Sequence, residues 1–163
     1  MSTSINRKKF ISLSLLGSTG LLISGKLPAQ DQKPAPIDKE LVKQFVIAGH
    51  NDLEKVKQLL QQQPGLLNAC WDWGGGDFET ALEGAGHMGR KDIAEFLLEN
   101  GARMNLFCAA MLGRLDIVKT TLAAFPNLKT SKGPHGLQLL HHAKKGGEGA
   151  FAVLEFLNSI GAA

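Results

Sequence analysis

The chain has 163 residues, enough for one domain with a modest core, and its 44% hydrophobic and 20% charged residues are ordinary for a globular protein. Tyrosine is absent and aromatics reach only 6%, so the core rests on Leu, Ile, Val and Ala, which argues against a β-sandwich or barrel. The formal charge of +3 belongs to the leader: Arg7, Lys8, Lys9 and Lys26 precede every acidic residue, and a chain trimmed after residue 29 carries fourteen basic against fifteen acidic residues, removing support for electrostatic nucleic-acid binding.

Residues 1–29 read as a secretory signal. Arg7-Lys8-Lys9 forms a basic start, and Phe10 to Gly25 is an uncharged, largely apolar stretch of sixteen residues. That is short of the roughly 20 residues a membrane span needs, and Lys26 ends it. Ala29 is the expected cleavage residue. The run Asn6 to Ile11 resembles a twin-arginine export signal with lysine at its second arginine, so both general secretion and a twin-arginine route stay open, as does an uncleaved leader tethering the chain to the membrane. Export to the periplasm or the exterior is the expectation, with no stable membrane insertion after cleavage. Residues 30–37 are read as a short linker and 38–163 as the folded domain.

Three segments then share one pattern: Asn51 to Leu60, Gly89 to Leu98 and Gly113 to Leu122. Each opens on a turn former, places an acid at the fourth position (Glu54, Asp92, Asp116) and continues with aliphatics at helical spacing. An acid in the opening turn suits the positive end of a helix dipole. A looser, longer copy runs from Gly147 to Leu157. Before each copy lies a short apolar helix with small residues: Phe45 to Ala48, Thr80 to Ala85, Leu106 to Ala110 and Leu139 to Ala143. After the second copy, Gly101 is placed to end its helix in the left-handed conformation. One such helix pair cannot bury its apolar stripe alone, so stacking is expected to join Val56, Leu59 and Leu60 to Leu82, Ile93 and Leu97. Further layers would add Leu106, Ile117, Leu122, Val153 and Leu157.

These features resemble the ankyrin repeat. Thr80, Leu82 and Ala85 match its first-helix motif in the second copy, and Leu140, His141 and Ala143 match it in the fourth. Gly89, Leu97, Leu98, Gly101, Ala102 and Asn105 match the second half. The resemblance covers about residues 38–161. It implies an all-α fold: an ankyrin-like solenoid of about four helix-turn-helix repeats with short β-hairpin fingers. The copies are spaced by 38, 24 and 34 residues, against about 33 in the family. The long interval accommodates an enlarged finger at Ala69 to Phe78, and the short one leaves no room for a finger. Pro64 and Pro126 stop the second helices of copies one and three.

The resemblance also implies a non-catalytic protein–protein interaction module, contacting its partner through finger loops and the concave helix face. The residues read as that surface are Trp73, Asp77, Phe78, His87 and His135. An exposed tryptophan anchors interfaces well, and strand alternation gives Trp71 and Trp73 the same side of the finger. The three glycines at 74–76 do not form a phosphate cradle, because no Lys-Ser or Lys-Thr follows and Asp77 and Glu79 repel an anion. His141 holds the family's structural position, bonding loop backbone. Gly133 to Gly136 reads as the finger before the fourth copy, with His135 and Lys132 exposed. No cofactor and no metal ligand is assigned, since no histidine pair has the i, i+4 spacing of a helical metal site. Cys108 is read as a core residue and Cys70 as the start of the finger, with no catalytic partner for either. Two further readings stay open: an accessory or stabilising subunit of an exported enzyme, and a small metal-binding or hydrolytic protein using His87, His135 and His142.

Overall fold

A computed structural model describes residues 34–162 of the chain. The leader reading at 1–29 and the first part of the linker fall outside those residues. Residues 36–162 form one compact unit. It is mostly helical, and no described helix is long and apolar enough to cross a membrane.

Four of the eight described helices begin on a side-chain cap. Helix α1 (Lys39–Gly49) starts on Asp38, whose carboxylate accepts the Leu41 N–H at 3.0 Å, and α2 (Leu53–Gln62) on Asp52, which accepts from Lys55 at 2.9 Å. Helix α3 (Ala81–Met88) opens with a reciprocal capping box between Thr80 and Glu83. Helix α4 (Lys91–Glu99) follows, then α5 (Leu106–Met111), capped by Asn105 through the Cys108 N–H at 2.8 Å. The remaining helices are α6 (Leu115–Ala124), α7 (Leu139–Lys145) and α8 (Phe151–Ser159). Glu54, Asp92 and Asp116 all lie in first turns, where the repeat pattern put them. Gly101 ends α4 at φ +92°, with the Ala102 N–H returning to the Leu97 carbonyl at 3.0 Å. Gly89, between α3 and α4, has φ +77°, and a Cβ there would sit 2.6 Å from the Lys145 carbonyl oxygen. Pro64 and Pro126 each start a short 3₁₀ turn, Pro64–Asn68 and Pro126–Thr130, directly after α2 and α6.

The helices pack in consecutive antiparallel pairs: α1 with α2, α3 with α4, α5 with α6, α7 with α8. The first members form one row, α1 against α3, α3 against α5, α5 against α7, and small residues let them approach closely. Among the second members α2 packs on α4 and α6 on α8, while α4 and α6 make less contact. The apolar interior accordingly falls into two clusters that meet at α5. Cys108 and Met111 join Val56, Leu59, Leu82, Ile93 and Leu97 in the first; Ala109 and Ala110 join Val118, Leu122, Val153 and Leu157 in the second. Leu106 is only partly buried there. Ile117 departs from expectation: it is 39% exposed, although its counterpart Ile93 is fully buried. The buried side of α6 is carried by Val118 and Leu122, with Leu115 partly buried beside them, and Ile117 lies off that side.

Between the 3₁₀ turn at Pro64–Asn68 and α3 lies an antiparallel hairpin, β1 (Cys70–Asp72) and β2 (Phe78–Thr80), which pairs Trp71 with Glu79. Its tip holds Gly74, Gly75 and Gly76, all at positive φ. A second, smaller finger is reduced to a Lys132–Gln138 bridge around the turn Pro134–Gly136. No strand lies between α4 and α5, as the 24-residue interval requires.

Candidate functional site

Side chains from four separate elements converge beside the first finger. His50 caps the C-terminus of α1, and its Nδ1–H donates to the Val46 carbonyl at 2.9 Å, turning Nε2 outward. Glu79 is the middle residue of β2. Strand alternation sends it to the opposite face from exposed Phe78, where it is 0% exposed. His87 sits in the last turn of α3, directed inward and 7% exposed. His135 occupies the second finger's turn with φ +58°, the left-handed region that non-glycine residues seldom adopt.

The distances are short throughout. His87 donates through Nε2 to Glu79 Oε1 at 2.8 Å, and the same nitrogen lies 3.1 Å from His50 Nε2. His50 Nε2 and His135 Nε2 each lie 3.4 Å from Glu79 Oε2. Trp73 donates its indole N–H to that oxygen at 2.7 Å, and its ring stands edge-on to His50 with centroids 6.4 Å apart. Behind His135, Asp77 accepts from the backbone N–H and from Nδ1–H, both at 2.8 Å.

These contacts set the charges. Burial by itself raises the Glu79 carboxyl, but the hydrogen bonds from His87 and Trp73, with the neighbouring imidazoles adding to them, outweigh it and hold the group below its ordinary range. Asp77 is held low chiefly by the His135 backbone N–H, with the His135 ring adding to it. Each carboxylate is therefore ionised and faces imidazoles.

Of the five residues read from sequence as a contact surface, four belong to this constellation. Trp73 is 37% exposed and bonded to Glu79; Asp77 and His135 are bonded to each other; His87 lies inside, away from the surface. Phe78 stands apart, 58% exposed on the finger's outer side. Trp71 shares a face with Glu79, as alternation required, and lies under the Lys43 ammonium at 5.4 Å. The trio His87, His135 and His142 is not assembled as a group. His142 is 1% exposed, donates through Nδ1 to the Gln138 carbonyl at 2.9 Å and packs on Phe107. Its place is taken by His50 and Glu79, which sequence reasoning passed over. No local signal marked Glu79: alternation sets it opposite Phe78, but here the apolar residue is the exposed one and the charged residue is buried. The signal for His50 was a histidine at a helix end, a position that also suits an ordinary cap.

His141 has the structural role its motif implies, its Nε2 donating to the His87 carbonyl at 3.0 Å. Cys70 is exposed, Cys108 is buried, and both are free thiols. Among the described residues, the groups able to hold a metal ion together are His50, Glu79, His87 and His135.

No protein-family model matches this chain, and no curated protein matches it at a significant level.

Proposed function

We propose that this chain is an exported, non-catalytic binding module. It is an ankyrin-like solenoid of about four repeats that takes a protein partner through its fingers and the concave face of its helices. Support for the repeat reading comes from the four helix pairs, the left-handed glycines that join their members, and the placement of the large finger in the long interval. Support for export is the basic and apolar leader, which also carries the positive charge balance.

The observation that carries the binding reading is the double hydrogen bond between Asp77 and His135. It ties the two fingers across the interval that lacks one. The finger carrying Phe78 is thus held in one conformation before any partner arrives, and a pre-formed loop loses less freedom on binding. Phe78, at 58% exposure, is an apolar side chain held out on that rigid support.

The test is capture from an envelope fraction by the trimmed chain, compared with Phe78→Ala. We expect one partner retained by the parent and lost by the variant, with helicity unchanged. Equal capture by both would remove Phe78 and its finger from the surface. An accessory role for an exported enzyme would appear in the same experiment as stable co-purification with that enzyme.

A further inference from the structure

We propose that His50, Glu79, His87 and His135 form a binding site for one divalent transition-metal ion.

The separations are those of a coordination shell. Bonds of about 2.0–2.1 Å to a tetrahedral ion put neighbouring ligand atoms about 3.3 Å apart. Here His50 Nε2 and His135 Nε2 each lie 3.4 Å from Glu79 Oε2 and His50 Nε2 lies 3.1 Å from His87 Nε2, while His87 lies 2.8 Å from the other carboxylate oxygen, Oε1. All four ligand atoms lie within 4.8 Å of one another. Three of the separations are within a few tenths of an ångström of that spacing, and small movements of the side chains would seat an ion among them.

The imidazoles are prepared for it. A carbonyl and an ionised carboxylate only accept hydrogen bonds, so the Nδ1 atoms of His50 and His135 carry the protons given to Val46 and Asp77. In the neutral rings Nε2 is then a bare lone pair, and both lone pairs are turned toward the cluster. A carboxylate or a carbonyl behind the distal nitrogen is the arrangement that orients metal-bound histidines. His87 Nε2 faces the same point and joins them by changing tautomer, its Nε2 proton passing to solvent while Nδ1 takes one up, so that the ring stays neutral.

A purely structural hydrogen-bond network accounts for less of this. Two imidazole Nε2 atoms 3.1 Å apart share no partner except through a proton, and His87 spends its own on Glu79. His135 is brought across 85 positions to meet His50, in a backbone conformation that costs energy. A divalent cation satisfies all four groups at once. Its two positive charges balance the carboxylates of Glu79, which is fully buried, and Asp77.

Three imidazoles and one carboxylate select among metals. The set is too nitrogen-rich for calcium or magnesium and lacks the thiolate that copper(I) favours; it suits zinc, and cobalt as its spectroscopic substitute.

The experiment uses the full chain without an affinity tag, stripped with chelator and dialysed. Calorimetric titration with Zn²⁺ is expected to show one equivalent bound, and Co²⁺ to give the visible bands of a low-coordinate nitrogen–oxygen site. His135→Ala removes a half-exposed ring from the second finger while leaving its backbone bond to Asp77 in place. It is expected to weaken zinc by about tenfold or more and to abolish the cobalt spectrum, with the far-ultraviolet dichroism unchanged. Glu79→Gln should do the same, while His142→Asn should retain one equivalent at the parent affinity. No stoichiometric uptake by the parent, or His135→Ala binding as tightly as the parent, overturns the proposal.

Discussion

Asp77 and His135, 58 positions apart, are joined at two points: one carboxylate oxygen takes the His135 backbone N–H and the other takes its Nδ1–H, each at 2.8 Å. The pair fixes a turn in which His135 adopts φ +58° and draws the second finger to the first. A charged acceptor that binds both main chain and side chain of one residue fixes that residue's orientation as well as its position.

Removing this acceptor frees the turn. In Asp77→Ala, the His135 amide is expected to exchange with solvent more than about tenfold faster than in the parent, while amides of α2 and α4 keep their protection. Exchange measured by nuclear magnetic resonance reads both. Unchanged protection at His135 would show that Pro134 and Gly136 hold the turn unaided.

Burial fixes the acid response of His142. It pushes the imidazole down from its ordinary 6.5 to about 4, with the bond to Gln138 opposing it. The folded chain holds the neutral ring, so between pH 6.5 and 4 the unfolded chain binds the extra proton. The stability from this group is complete above pH 6.5 and is lost as pH falls toward 4, by at most about 3 kcal/mol. His142→Asn removes that titration. The gap between parent and variant in urea-unfolding free energy should narrow across this window, and parallel curves would contradict it.

Ile93 and Ile117 hold the same place in successive copies, yet one is fully buried and the other 39% exposed. Ile93→Ala is expected to cost about 2–5 kcal/mol, from lost transfer energy and the cavity left behind. Ile117→Ala is expected to cost less than about 1 kcal/mol. Denaturant midpoints for the two variants decide it, and equal losses would show that α6 is covered on that side.

Thiol chemistry separates the cysteines. Cys108 is 1% exposed, and burial pushes its thiol up to about 12. Cys70 is exposed at the start of the finger. At pH 8 a thiol reagent is expected to modify one cysteine in the native chain and the second only after unfolding. Rapid reaction of both would mean that the α5 layer opens readily.

Much of the helical framework was legible from local signals. Asp38, Asp52, Thr80 and Asn105 are cap residues by chemistry, and each accepts the bond its position requires. Leu59, Leu97 and Leu157 are buried where helical periodicity put them. The 38-residue and 24-residue intervals forecast the long finger and the missing one. Ile117 fails the same reading because α6 turns its Val118 and Leu122 side inward, and which side of a helix is covered is decided by the packing around it. The constellation beside the finger was half visible: Trp73, Asp77, His87 and His135 were read as contact residues, and His87 and His135 also as a metal-binding or hydrolytic group, with His142 where the structure has His50 and Glu79.

What the sequence determined by itself is everything that follows from neighbours a few positions apart: caps, helix faces, turn glycines and the alternation that turns Glu79 away from Phe78. The meeting of His50, Glu79, His87 and His135 was decided only by tertiary structure. It depends on how far each helix pair is displaced from the one before, summed over the stack, and on one bond from Asp77 to a turn 58 residues away. Stacking distance is set by the total fit of many small side chains, so a change in any layer would move these four groups apart without altering their local sequence.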